Sequence, residues 1–262
     1  MKKENTMNKS IEDFSIGLKV FTDNLRAYIS VVLFVLAGSF GVLILGLAVF
    51  GVFILIQMFG LTFTHDATVL IFLAIAIIFF IAILIVFTFS AFNATLYGLS
   101  YDIMSSGNLY TEFRNAFMHF RKHWFSYIVI SIIMLLITMV YQYFRKDQIA
   151  LFLVYAIFDY FSIMYITGLF TSVTAKGSLF TACKESFSLL RHDFKRIAIT
   201  IGLYFLIFRT PYIISVYISK LGLVINSIIL ILLVINFLLL LFSSFIGNPI
   251  LSILATRIYN TN

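Results

Sequence analysis

Charge is what this chain has least of. Asp, Glu, Lys and Arg make up 11% of its 262 residues, against about 25% in an ordinary soluble domain. Apolar residues make up 62%, more than a soluble core of this size can hide. A bilayer accommodates them, because lipid itself solvates apolar side chains and about 20 consecutive apolar residues suffice to cross it. The single cysteine, Cys183, excludes an intramolecular disulfide and a cysteine-based metal site. With two prolines and no linker rich in Pro, Ser or Gly, nothing divides the chain, and residues 1–262 read as one integral membrane domain. A cleavable secretory leader needs an apolar stretch of only about 7–15 residues. The first apolar run, Tyr28 to Met58, is far longer, so the N-terminus is expected to be retained.

Catalytic signatures are also missing. There is no Gly-x-Ser-x-Gly elbow, no phosphate-binding glycine loop and no His-Glu-x-x-His helix. His119 and His123 stand four apart and His65 adjoins Asp66, but a metal site needs three or four ligands with outer support. No metal, cofactor or enzymatic activity is expected. The net charge of +7 is carried by short segments beside apolar runs, which points to membrane topology and anionic lipid rather than nucleic acid.

What is present is apolar length. Runs able to span occur at Tyr28 to Met58, Ala67 to Leu99, Trp124 to Phe144, Ile149 to Ser172, Ile197 to Ile218 and Leu221 to Phe245. The expected fold is therefore all-α, a polytopic bundle of six transmembrane helices. Positive residues favour the cytoplasmic face. Fourteen Lys and Arg fall in the N-terminal segment, the second and fourth loops and the tail, and four on the opposite side. Both termini are expected in the cytoplasm, with the chain in the plasma membrane.

Spans one, three and five each follow a segment too polar to cross yet carrying a regular apolar stripe. Phe14, Gly17, Leu18, Phe21, Asn24, Leu25 and Tyr28 match Phe113, Ala116, Phe117, Phe120, His123, Trp124 and Tyr127 at a constant offset of 99. Ser186, Phe187, Leu190, Asp193, Phe194 and Ile197 match the second set at an offset of 70. Steps of one, three and four are helical. Each segment reads as an amphipathic helix in the cytoplasmic interface that bends into a span, giving three hairpins each preceded by an interfacial helix. Asn24, His123 or Asp193 sits at the bend, placed to cap backbone amides. Tyr28, Phe117, Phe120, Trp124, Tyr127, Phe187 and Phe194 are the candidate interfacial anchors. The pattern fits parallel repeats at about 11–99, 107–172 and 177–246, and it also fits three unrelated entry helices that obey the same physics.

From Thr95 to Ile128 the sequence TLYGLSYDIMSSGNLYTEFRNAFMHFRKHWFSYI resembles the bacterial YesL-type membrane proteins, in which a small-Leu-Tyr helix end precedes a polar turn and a Phe-rich basic helix. The segment from Lys176 to Arg196, KGSLFTACKESFSLLRHDFKR, looks like the later inner loop of the same family. Similar patterning occurs in the membrane domains attached to some glycerophosphodiester phosphodiesterases. The likeness covers about a quarter of the chain, which departs from it in longer first spans without a proline between them. The family has no established biochemical activity to carry over, and its association with sugar-uptake systems implies at most an accessory role.

Asp159 is the one carboxylate inside an apolar run, and a lone charge there demands a partner. Arg209 lies at matching depth in the next antiparallel span, and Pro211 should kink that span by leaving the Ile207 carbonyl without a donor. Tyr160, Asn226 and Asn236 complete a candidate polar cluster. Gly38, Gly41, Gly46 and Gly51 would allow close helix approach in the first span. Two functional readings follow: a non-enzymatic accessory subunit, packed against other membrane proteins and lipid within a transport or envelope system, and a small transporter or channel using the Asp159/Arg209 pair. An intramembrane enzyme acting on lipid is a third.

Overall fold

A chain that cannot satisfy its backbone with water must satisfy it internally, and helices do so within one segment. The computed structural model describes residues 6–58, 67–106, 113–144, 149–211, 213–214 and 226–261, and every element among them is helical. In chain order these are α1 (Thr6–Asp23), α2 (Leu25–Met58), α3 (Ala67–Ser106), α4 (Phe113–Phe144), α5 (Ile149–Lys176) and α6 (Leu179–Tyr204). A π-helical turn follows at Phe205–Arg209, then α7 (Asn226–Phe242), a second π turn at Ser243–Gly247, and α8 (Asn248–Asn260).

Among the described residues, Ile75–Ser105, Ala156–Lys176 and Val234–Asn260 are long and apolar enough to cross a membrane, and a fourth span results if the bent pair Thr6–Asp23 and Leu25–Gly38 counts as one. The expected crossings at Trp124 to Phe144 and Ile197 to Ile218 lie on α4, α6 and the turn beyond, partly outside the described residues. The C-terminal segment differs from expectation. The helix runs on to Asn260, and its last turns are core, with Ile250, Ile253 and Leu254 wholly buried.

The backbone breaks at the three residues where the sequence pattern places bends. The chain turns by 75° between α1 and α2 at Asn24. His123 leaves helical geometry inside α4 (φ −126°, ψ 27°) and Asp193 does the same inside α6 (φ −117°, ψ 27°). None of the three side chains caps amides as expected. Asn24 Nδ2 donates to the Val20 carbonyl at 2.9 Å, and the amides of Ala27 and Tyr28 already donate to the Asn24 carbonyl. The Val20 carbonyl at this corner thus takes both the backbone amide and the side-chain amide of Asn24. His123 lies with its ring against Gly177, and Asp193 Oδ2 stands 3.6 Å from Arg196 Nη1.

Close approach is built in just before each bend. A Cβ on Gly17 of α1 would lie 2.8 Å from Leu254 Cδ2 of α8. Ala116 of α4 brings its carbonyl oxygen to 2.8 Å from where a Cβ on Gly98 of α3 would sit, and Ser186 of α6 brings its hydroxyl to 2.5 Å from that point on Gly168 of α5. The three small residues are equivalent in the pattern, and they meet α8, α3 and α5 respectively. The packing therefore runs α3 on α4, α5 on α6 and α8 on α1, which closes a ring. Inside it lie Leu96, Leu99, Ile201, Ile250, Ile253 and Leu254.

Candidate functional site

Two clusters of buried charge stand out, at different places in the bundle. The first is built by proline. Pro211 has no N–H, and the helix adapts by opening a π turn: the Thr210 amide reaches back to the Phe205 carbonyl, and Thr210 Oγ1 donates to it at 3.1 Å. The second proline acts alike, for Pro249 follows the Ser243–Gly247 turn, in which the Asn248 amide donates to the Ser243 carbonyl. The two π turns pack together. Phe208 stacks on Phe242 with centroids 5.3 Å apart, and a Cβ on Gly247 would press to 3.3 Å of the Phe208 ring.

Arg209 closes the first π turn, and its Nε lies 3.7 Å from Asp159 Oδ2 on α5. The sequence pairing is thus realised, at a distance suited to Coulomb attraction but too long for a hydrogen bond. Asp159 Oδ2 has no hydrogen-bond partner among the described residues. Tyr160 does not join: its hydroxyl donates to the Ala198 carbonyl at 2.5 Å and ties α5 to α6. The tyrosine beside the pair is Tyr204, buried, in the field of both charges and hydrogen-bonded to Ser243. Sequence reasoning missed it because an aromatic among apolar residues carries no signal of its partners. Pro211 and Asn236 are half-buried, and the side chain of Asn226 lies outside the described residues.

The second cluster was invisible in the sequence. Asp13 of α1 is completely buried. Arg196 of α6 grips it with both arms, Nε to Oδ2 at 2.6 Å and Nη2 to Oδ1 at 3.0 Å. Arg257 of α8 adds Nε to Oδ1 at 2.7 Å and places Nη2 3.5 Å from Glu12. Ser10 Oγ donates to the Arg196 carbonyl at 3.3 Å. One carboxylate therefore joins the first, sixth and last helices. Burial alone would raise the Asp13 pKa; the two guanidinium groups outweigh it and hold the carboxyl below its ordinary value.

Hydroxyl contacts complete the interior. Tyr28 bonds Ser100 at 3.0 Å, Ser100 bonds Ser252 at 2.6 Å, and Tyr127 bonds Thr174 at 2.6 Å. Tyr28, Tyr127 and Phe120 are thus core residues and not surface anchors, since the bends swing them inward, where each tyrosine hydroxyl finds a partner. Trp124, Phe187 and Phe194 stay exposed and Phe117 is half-buried. His119 pairs with Asp102 at 2.9 Å, while His123 packs on Gly177, whose φ of +79° ends α5. The two histidines therefore have separate partners, and no group of three metal-ligating side chains occurs among the described residues. A cavity of about 30 Å³ between α5, α6 and α8, lined by Thr167, Thr171, Ser186 and Tyr259 among others, has room for about one water.

No family model matches this chain, and no curated protein or solved structure matches it.

Proposed function

We propose that the chain is a six-span plasma-membrane protein with both termini in the cytoplasm, acting as a non-enzymatic accessory subunit of a transport or envelope system. The carrying observation is the surface of α2 and α3. Away from the ring these helices turn Phe40, Ile44, Ile78 and Phe79 outward at 62–67% exposure. Apolar area on this scale belongs against lipid or another membrane subunit. The deeply buried carboxylate, Asp13, is meanwhile matched by cations, as expected of a scaffold. Purification in mild detergent is expected to retain a stoichiometric partner. Asp159→Asn with Arg209→Gln should then weaken assembly while leaving any flux unchanged.

A second reading rests on a specific observation. Two π turns meet beside Asp159, whose Oδ2 makes no hydrogen bond, and π turns recur at functional sites. A small transporter or channel would use that oxygen for a proton or a polar solute. Reconstituted protein alone would then move solute, and Asp159→Asn would abolish the movement with the fold intact.

A further inference from the structure

The entry helices carry a second apolar face, most of which is exposed. On α1 the inward face is Ser10, Asp13, Gly17 and Phe21. Ile11 and Leu18 point away from it at 48% and 39% exposure, and Leu25, seven residues further and across the bend, stays 43% exposed. The same positions on α6 are Phe180, Phe187 and Phe194, exposed at 84%, 66% and 48%. On α4 they are Phe117, half-buried with its ring 5.8 Å from that of Phe34 on α2, and the exposed Trp124, so the stripe of α4 is carried by Trp124. Seven residues are nearly two helical turns, so each set forms one stripe. Each stripe continues past the bend onto the following helix.

Exposed cations flank these stripes: Lys19 and Arg26, Arg121 and Lys122, Arg191 and Lys195. None of the six enters an ion pair among the described residues, whereas the neighbouring acids Asp193 and Glu185 are engaged with Arg196, Lys176 and Tyr259. An apolar stripe edged by unpaired positive charge is complementary to one surface, the boundary between acyl chains and anionic headgroups.

We infer that α1 and the entry halves of α4 and α6 form a collar that seats on anionic phospholipid of the cytoplasmic leaflet, the stripes lying at the carbonyl level and the six cations among the phosphates. The inference rests on the membrane orientation proposed above. It goes beyond that orientation by assigning a lipid class and the residues that select it.

Trp124 is the only tryptophan and lies on the stripe, so its fluorescence reads the collar directly. The full chain is reconstituted into phosphatidylcholine vesicles holding an equal fraction of dibrominated phosphatidylglycerol or dibrominated phosphatidylcholine. The anionic quencher is expected to quench Trp124 about twice as strongly, more with bromines near the carbonyl end than near the chain end. Arg121→Gln with Lys122→Gln should remove the difference between headgroups while leaving the depth profile unchanged. Equal quenching by both lipids overturns the selection. Quenching by aqueous acrylamide alone overturns the seating, and shielding from both kinds of quencher means that a second copy of the chain covers the stripe. If the protein fails to float with the vesicles at all, the membrane reading itself is what fails.

Discussion

Replacing Asp13 by Asn tests how the ring is held. The substitution keeps shape and removes one charge, leaving Arg196, whose side chain is 3% exposed, with Asp193 at 3.6 Å as its one remaining counter-ion among the described residues. Stranding one partner of a buried ion pair costs about 3–5 kcal/mol, and because Asp193 stays beside Arg196 as a partial counter-charge, the lower end of that range applies. Arg257→Gln removes one hydrogen bond to a charged acceptor from a side chain that is 18% exposed, and solvent screening reduces the loss to about 1–2 kcal/mol. Reversible unfolding from mixed micelles, followed by helical circular dichroism, reads both. Removing Asp13 and Arg196 together as Asn and Gln should destabilise less than the sum of the single changes, because neither variant then strands a charge. A loss below about 0.5 kcal/mol for Asp13→Asn, within the ordinary range of surface substitutions, refutes the reasoning.

The same carboxylate sets a pH signature. Its folded pKa is lowered, so its stabilisation is fully present above the unfolded value of about 3.9 and is lost as pH falls through the depressed folded value. The difference between the native chain and Asp13→Asn is therefore expected to stay flat through neutral pH and to shrink only in strong acid.

Two further outcomes follow from the ring. Gly98→Ala sets a methyl against the Ala116 carbonyl, which is backbone and cannot yield, whereas Gly168→Ala meets the Ser186 hydroxyl, which can rotate away; unfolding should show a loss of about 1–3 kcal/mol for the first and clearly less for the second. A circular permutant that joins the present ends by a flexible linker and opens between residues 106 and 113 should still give a monodisperse, protease-resistant protein, since α8 meets α1 as α3 meets α4; aggregation of the permutant would show that the three junctions are not equivalent.

The bends at Asn24, His123 and Asp193 could be read from the sequence because helical spacing is local and each residue interrupts an otherwise continuous stripe. The Asp159/Arg209 pair was readable for a different reason: a lone charge in an apolar run needs a partner, and depth along antiparallel spans narrows the choice. Nothing comparable marked Asp13. It is 183 residues from Arg196 and 244 from Arg257, and all three lie in polar segments where charge is ordinary. The anchors Tyr28, Tyr127 and Phe120 misled because amphipathic spacing shows that a face is apolar without showing whether lipid or protein covers it. Ser100 and Thr174, which meet the tyrosine hydroxyls, and Ser252, which bonds Ser100, look in sequence like any polar residue near a helix end.

Where the arginines go changes the count on which the expected orientation is drawn. Arg196 and Arg257 entered the inward tally of fourteen, yet both are spent on Asp13 and are not free to meet headgroups; on the other side Arg209 faces Asp159. Removing these three leaves twelve against three, so the counted bias does not weaken. Those that remain inward include the six that edge the apolar stripes. Half of the cations behind the expected orientation are thus those proposed to seat the chain, while the buried Arg196 joins helices distant in sequence. Charge in this protein divides by depth: exposed and, among the described residues, unpaired at the six cations of the entry helices, paired through Asp13 where α1, α6 and α8 meet, and held at 3.7 Å beside the π turns, where Asp159 Oδ2 has no hydrogen-bond partner among the described residues.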